Sequence, residues 1–503
     1  MFFVFFLHNS FFFFSCKPHY YKSIIMKSLV VTLLLLLLQY NTFSQTFEKY
    51  ISTSLDEFVY DAVVISNNEI VFPINYGYYS NSSYQSALIR MNSNTGEIID
   101  SVHIAFDNPG FKFNGIGSLF YIGDSLIVAV GGCVNYSNND FQIFISQFNN
   151  DLLPVMDTII GNTENNDSFY DVIFTNDNQL VFVGNESYHN MLIQEISLYG
   201  EVIRRKVYYV SDALLSSTIF DDGERYHIYH YFDNDHSYDL LRKTDLEIDT
   251  TLVYPSGFLP RNAVAIPDQD YYFVAGRQNN VSPVVDNLSY LKVAQSGELL
   301  QQVELFTDTI GIYTLNCFSY NSESLYFSGA HCLSWEGAFI MVPEQRWIML
   351  YKLSYNGDVK WQHFYKGKVN YMPYKILATD DGGALIFSTK YDWNDPIPNQ
   401  RDVHILKVDS TGWYEGMPVG ISEQFSFNQV LVYPNPVNDK VHFVLGLYNN
   451  LELNIYNVSG ELVHNMFLEN SKTLDLSFLQ SGVYIYNLKG ENGFFEKGKI
   501  IKQ

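Results

Sequence analysis

The segment HIYHYFDNDHSYD at residues 227–239 gathers His227, His230 and His236 with Asp233, Asp235 and Asp239. Carboxylates at alternating positions suit calcium, and imidazoles suit zinc. The spacing argues against both. Two histidines three apart on a strand point to opposite faces, and the segment lacks the glycine of a calcium loop. A solvated acidic loop accounts for the same residues, so no metal site and no cofactor is expected. Nucleophile elbows, zincin helices, phosphate loops and dinucleotide fingerprints are missing from the chain. Carboxylates are plentiful, but glycoside hydrolysis needs two at a set separation. A one-dimensional reading cannot pair them, so a catalytic role stays open with non-catalysis favoured.

Aromatic residues among Asn and Ser give a second candidate. Stretches such as NYGYYSNSSYQ, CVNYSNNDFQ, HCLSWEGAFIMVPEQRW and KYDWNDPIPNQRD place Tyr79, Tyr136, Trp335, Trp347 and Trp393 in long polar connections. Rigid amphipathic rings beside adaptable polar groups are the composition of a recognition surface. Long solvated loops of a secreted protein are the alternative reading.

Such loops need a scaffold, and composition indicates strands. Aromatics make up 17% of the 503 residues, with 39 Tyr and 39 Phe, and charged residues only 17%. Aromatic and β-branched side chains fit a pleated, half-buried surface. The net charge of -24 disfavours a nucleic-acid partner. Near the start, MKSLVVTLLLLLLQYNTFSQ reads as a secretory signal: Lys27, an apolar run from Leu29 to Leu38, then Thr42 and Ser44 before a cut at Gln45. Met26 is then the expected start, and residues 1–25 upstream sequence. The apolar run is shorter than the roughly 20 residues of a spanning helix. Cys133, Cys317 and Cys332 remain after the signal. Buried free thiols are expected, with a Cys317–Cys332 pair as the alternative.

A period near fifty residues runs from Gln45 to about Gly416. Each unit has a first strand-like piece (YDVIFTND, YKILATDD), then a continuous apolar run (QLVFVG, ALIFS). A third piece ends in a polar turn (MLIQEISLYGE, HILKVDSTG), and a fourth run follows. Continuous apolar runs read as strands buried on both faces. Four antiparallel strands repeated about seven times describe a β-propeller. The last unit lacks a fourth strand, and TFEKYIS at residues 46–52 is expected to supply it and close the ring. The second-to-third loops then emerge on one face. YNGDVKWQHFY and the Gly131–Gly132 pair resemble quinoprotein-like and Kelch-like units respectively.

Residues 420–503 read as about seven short alternating strands, the pattern of an Ig-like β-sandwich. Here YPNP (with Pro434, Asn435 and Pro436), NVSGELV, LDLSFLQSGVY (with Gly482 and Tyr484) and a terminal KGKIIKQ (with Lys499) occur in order. The combination resembles the C-terminal sorting domain of the type IX secretion system. The resemblance implies the type IX machinery as partner and delivery to the outside, secreted or on the outer cell surface of a Gram-negative bacterium. The expected architecture is therefore all-β: a signal segment over 1–44, a propeller of about seven blades over 45–419 and a sorting domain over 420–503. The expected function is binding of an extracellular glycan or protein through the long-loop face. A polysaccharide hydrolase or lyase with carboxylates in the propeller channel is the alternative.

Overall fold

The computed structural model describes residues 46–503 apart from short segments, the longest being 306–317, 333–344 and 416–429. Its described elements are all strands, as the aromatic-rich composition predicts. The first sheet holds β2 (Asp56–Phe58), β3 (Val63–Ser66), β4 (Glu69–Tyr78), β5 (Ser83–Asn92) and β6 (Ile98–Ile104), with β2 and β3 both pairing β4. The second is a meander of β7 (Phe111–Ile122), β8 (Leu126–Asn135), β9 (Phe141–Asn149) and β10 (Pro154–Ile160). The third holds β11 (Asp167–Phe174), β12 (Gln179–Glu186), β13 (Asn190–Ser197) and β14 (Val202–Tyr209). The fourth runs through β15 (Leu214–Asp221), β16 (Arg225–Phe232), β17 (His236–Arg242) and β18 (Ile248–Leu252). The fifth consists of β19 (Phe258–Ala265), β20 (Tyr271–Val281), β21 (Val284–Ala294) and β22 (Leu299–Glu304).

An eight-stranded sheet follows, made of two such groups. One is β23 (Phe318–Tyr320), β24 (Leu325–Cys332), β25 (Arg346–Leu353) and β26 (Val359–Tyr365). The other is β27 (Asn370–Ala378), β28 (Ala384–Tyr391) and β29 (Arg401–Val408), completed by β1 (Phe47–Ile51). One parallel pair, Arg346 with Asn370, joins the two groups.

The pairing of β1 with β29 places residues from the two ends of this region side by side, Phe47 opposite Lys407 and Ile51 opposite Val403. Side chains reinforce the ladder. His404 Nε2 lies 3.0 Å from Glu48 Oε1, and the Tyr50 and Tyr371 hydroxyls are 3.1 Å apart. The segment 46–52 thus adds a strand to the last group, as its sequence predicts.

Burial runs through the second and third strands, including polar residues such as Gln194 and Glu195. β12 and β13 are buried over nearly their whole length, whereas β14 is half-buried to exposed and carries Arg204, Arg205 and Lys206. A strand with a sheet on both sides buries both faces. The fourth strand lies at the edge and meets water. Each buried Val, Ile, Leu or Phe contributes about 1.5–3 kcal/mol relative to exposure.

The hydrophobic clusters link the sheets in chain order. Val71 and Leu88 of the first sheet meet Phe113 and Phe144 of the second. Val128 and Ile143 meet Leu180 and Phe182, and Val181 and Ile193 meet Ile219 and Ile228. Tyr229 and Leu240 meet Tyr272 and Val274, and Phe273 and Tyr290 meet Phe327 and Met349. Tyr326 and Ile348 meet Ile386 and Leu406. Finally Leu385 and Phe387 pack on Phe72 and Ile89, which brings the last group back against the first sheet. This is a β-propeller-like arrangement in which the aromatic residues serve as packing between sheets.

Beyond it, β30 (Leu431–Tyr433), β31 (Lys440–Val444) and β34 (Lys472–Asp475) form one small sheet. β32 (Leu451–Asn457), β33 (Leu462–Leu468), β35 (Gly482–Lys489) and β36 (Phe495–Lys502) form another. Their inner faces share one core, with the Phe443 and Tyr486 rings 5.4 Å apart. Asn435 of the YPNP motif ties the terminal strand down. Its amide donates to Lys499 O at 2.6 Å, and its oxygen accepts from Ile501 N at 2.8 Å. Tyr484 is buried and donates to Gln480 O at 2.8 Å, while Pro436, Gly482 and Lys499 are exposed. Pro434 lies outside the described residues.

Candidate functional site

Glycines open the site. Gly115 on β7 and Gly131 on β8 remove side chains where two strands approach closely. A Cβ on Gly131 would sit 2.3 Å from Gly115 O, and one on Gly115 (φ +104°) would sit 2.7 Å from the Asn75 amide oxygen. Asn75 occupies that gap instead. Its Oδ1 accepts from Ile116 N at 2.7 Å and its Nδ2 donates to Ile116 O at 2.9 Å, clamping β4 to β7.

The space left is a cavity of about 470 Å³. Tyr60, Tyr170, Arg261 and Tyr374 reach it from four different sheets, with Phe141 and Gln142 from β9 and Asp171 from β11. Phe141 and Gln142 open β9 just after the β8–β9 loop, while Val130, Gly131 and Gly132 lie in the middle of β8. Gln142 is only 6% exposed, and its Nε2 is buried with no hydrogen-bond partner. A buried amide donor left unpaired costs free energy until something accepts from it.

The carboxylates near the cavity are already engaged. Asp171 accepts from Val172 N at 2.9 Å, Ile219 N at 3.0 Å and Thr218 Oγ1 at 2.6 Å, which joins β11 to β15. Burial outweighs these bonds and pushes its pKa up to about 6. Asp61, between β2 and β3, accepts from Ala62 N and from Leu119 N of the next sheet, each at 2.8 Å, and pairs with Lys375 Nζ at 2.6 Å. The Tyr60 and Tyr374 rings lie 5.0 Å apart, edge to face. Two of the innermost carboxylates thus hold neighbouring sheets together.

The residues expected from sequence divide into three groups. Tyr136 is 61% exposed at the tip of the β8–β9 hairpin whose stem lines the cavity, and Trp393 is half-buried in the turn after β28. Trp347, expected on the loop face, is instead 6% exposed and packs flat on His331 with ring centroids 5.2 Å apart. It lies on β25 inside the core cluster, because β25 begins at Arg346 and takes the tryptophan out of the loop. Tyr79 and Trp335 lie outside the described residues. Sequence reasoning did not single out Gln142, Asp171 or Arg261. A usable signal was the recurrence of Tyr60-Asp61, Tyr170-Asp171 and Tyr374-Lys375, the first between β2 and β3 and the others on β11 and β27.

His227 and His230 face opposite ways, as the strand period predicts, while Asp233, Asp235 and the His236 side chain lie outside the described residues. His227 Nε2 lies 2.5 Å from Asp222 and its Nδ1 2.9 Å from the Tyr272 hydroxyl. His230 Nδ1 lies 3.0 Å from Ser217 Oγ on the other face. No group of three or more metal-capable side chains occurs among the described residues. Cys133 is a buried free thiol whose pKa burial pushes up to about 12. Cys317 and the Cys332 side chain lie outside the described residues.

Solved structures resembling the chain share little sequence with it. Hydrazine synthase of Kuenenia stuttgartiensis has 11% identity over 67% of this chain and 92% of that one, with a TM-score of 0.43. The β-propeller domain of the trilobed protease of Pyrococcus furiosus has 10% identity over 73% of this chain and 99% of that one, with a TM-score of 0.41. Acylaminoacyl peptidase of Pyrococcus horikoshii has 11% identity over 77% of this chain, which spans only 57% of that protein, with a TM-score of 0.41. No curated protein sequence matches. Residues 431–503 match the secretion system C-terminal sorting domain. The protein is therefore a cargo of the type IX secretion system, exported to the cell surface or secreted.

Proposed function

We propose that the protein is a seven-bladed β-propeller of quinoprotein-like or Kelch-like degenerate repeats, made with a signal peptide and closed by β1. An Ig-like sorting domain follows it, with the boundary near residue 420. Outside the cell the propeller binds a glycan or protein through its long-loop face. The observation that carries the reading is the cavity that Phe141 and Gln142, just after the β8–β9 loop, help to line. Its lining pairs the rings of Tyr60, Phe141, Tyr170 and Tyr374 with the unpaired amide donor of Gln142. Rings give stacking area at low entropic cost, and an unpaired donor supplies direction. Tyr136 and Trp393 supply aromatic surface near the cavity.

Glycan-array and cell-surface protein screens with the purified secreted chain test this. Gln142→Ala and Tyr170→Ala are expected to weaken the selected ligand roughly tenfold each, the 1–2 kcal/mol of a lost hydrogen bond or ring contact. Binding indifferent to both changes, or no ligand in either screen, removes the reading. One observation favours a second reading, a polysaccharide hydrolase or lyase: Asp171 lines the cavity with a pKa of about 6. Polysaccharide turnover lost in Asp171→Asn while binding persists would select it.

A further inference from the structure

Arg346 is the largest fully buried side chain of the described residues, and none of them matches its charge. It opens β25 and pairs with Asn370 at the start of β27. Its Nη1 meets the Met372 sulfur at 3.3 Å, while Nε and Nη2 have no partner. No ion pair joins it to a carboxylate among the described residues.

The other buried cations are matched. Arg401 holds Asp56 with two bonds of 2.7 and 2.6 Å, and Lys407 holds Asp381 at 2.7 Å. Lys352 donates to the Gly382 and Ser410 carbonyls at 3.0 and 3.2 Å. An arginine cannot shed its proton, so burial leaves it needing a negative charge.

Two further groups beside it are unpaired. Asn370 is fully buried, with neither its amide oxygen nor its nitrogen bonded, and Thr389 is fully buried with its hydroxyl unbonded. Register puts them together. Asn370 and Met372 alternate onto one face of β27, and Thr389 stands directly opposite Met372 on β28. The guanidinium reaches that face through its contact with Met372. Three neighbouring buried side chains thus offer several unbonded N–H and O–H donors against one unbonded acceptor, the Asn370 amide oxygen.

We propose that Arg346, Asn370 and Thr389 form an internal anion site at the junction of β25 and β27. It takes a compact anion, a halide or the oxygens of a carboxylate, which accepts from the guanidinium, the amide and the hydroxyl together. Such an ion matches the buried charge, and its binding adds to stability by mass action. The site does not depend on the ligand-binding reading above, since neither Asn370 nor Thr389 lines that cavity.

The test uses the full secreted chain, melted at constant ionic strength with HEPES as the only anion and then with added bromide or acetate. The expected result is a saturable rise in Tm of several degrees, absent in Arg346→Met and reduced in Thr389→Val. Crystals grown in bromide should show an anomalous peak within hydrogen-bond distance of the Arg346 guanidinium. Such a peak identifies a free halide; response to acetate alone identifies a carboxylate group. A Tm indifferent to both anions with no peak or only water at the guanidinium, or an equal rise in Arg346→Met, overturns the proposal. Should Arg346→Met fail to fold, the Thr389→Val melts and the bromide map decide the question alone.

Discussion

Glu57 shows how one side chain makes stability depend on pH. It is almost fully buried, its Oε1 accepts from Thr53 N at 3.1 Å, and its Oε2 has no partner. Burial, with repulsion from Asp402 and Asp56, pushes its pKa up to about 7. The folded state therefore holds this proton more tightly than the unfolded chain. Its contribution is fully present below about pH 4.5 and is lost as pH rises through 7. Glu57→Gln removes that dependence. Urea midpoints at pH 5 and pH 8 should converge in the variant, gaining it about 1–2 kcal/mol over the parent at pH 8 after solvent screening. An unchanged pH slope contradicts this. Little at the residue scale was legible beforehand. Period-two alternation placed His227 and His230 on opposite faces correctly. It gave no hint that Asn75 would fill the space left by Gly115, because that contact spans two sheets.

At the scale of elements the sequence was more informative. Continuous apolar runs marked the doubly buried strands, since burial on both faces acts on every residue of a strand. The missing fourth strand of the last group pointed to residues 46–52, which pair with β29 along five residue pairs. Deleting residues 46–52 exposes the β29 edge and uncovers part of the cluster shared by Leu385, Phe387 and Phe72. The whole region should then melt earlier, with a Tm lower by about 5–10 °C or more, given that each kcal/mol shifts a domain of this size by a few degrees. A variant that melts like the parent contradicts closure by β1. Trp347 marks the limit of loop reading. Its segment is polar and aromatic, but the strand begins one residue earlier and turns the ring inward.

For the whole molecule, the address was clearer than the errand. The terminal motifs have a fixed order and a local fold, so they were legible in one dimension. A cavity assembled from five sheets is not, because Tyr60, Gln142, Tyr170, Arg261 and Tyr374 are far apart along the chain. Removing residues 431–503 should leave the rest inside the outer membrane, read by fractionation of cells and medium. Asn435→Ala, which frees Lys499 O and Ile501 N, should lower export less severely. Normal release of the truncated chain would contradict a sorting role. The most direct measurement is a crystal structure of the secreted chain with its array-selected ligand. The prediction is ligand density between Phe141 and Tyr170, with an acceptor within hydrogen-bond distance of Gln142 Nε2. Density at any other face, with this cavity left unchanged, would contradict the account.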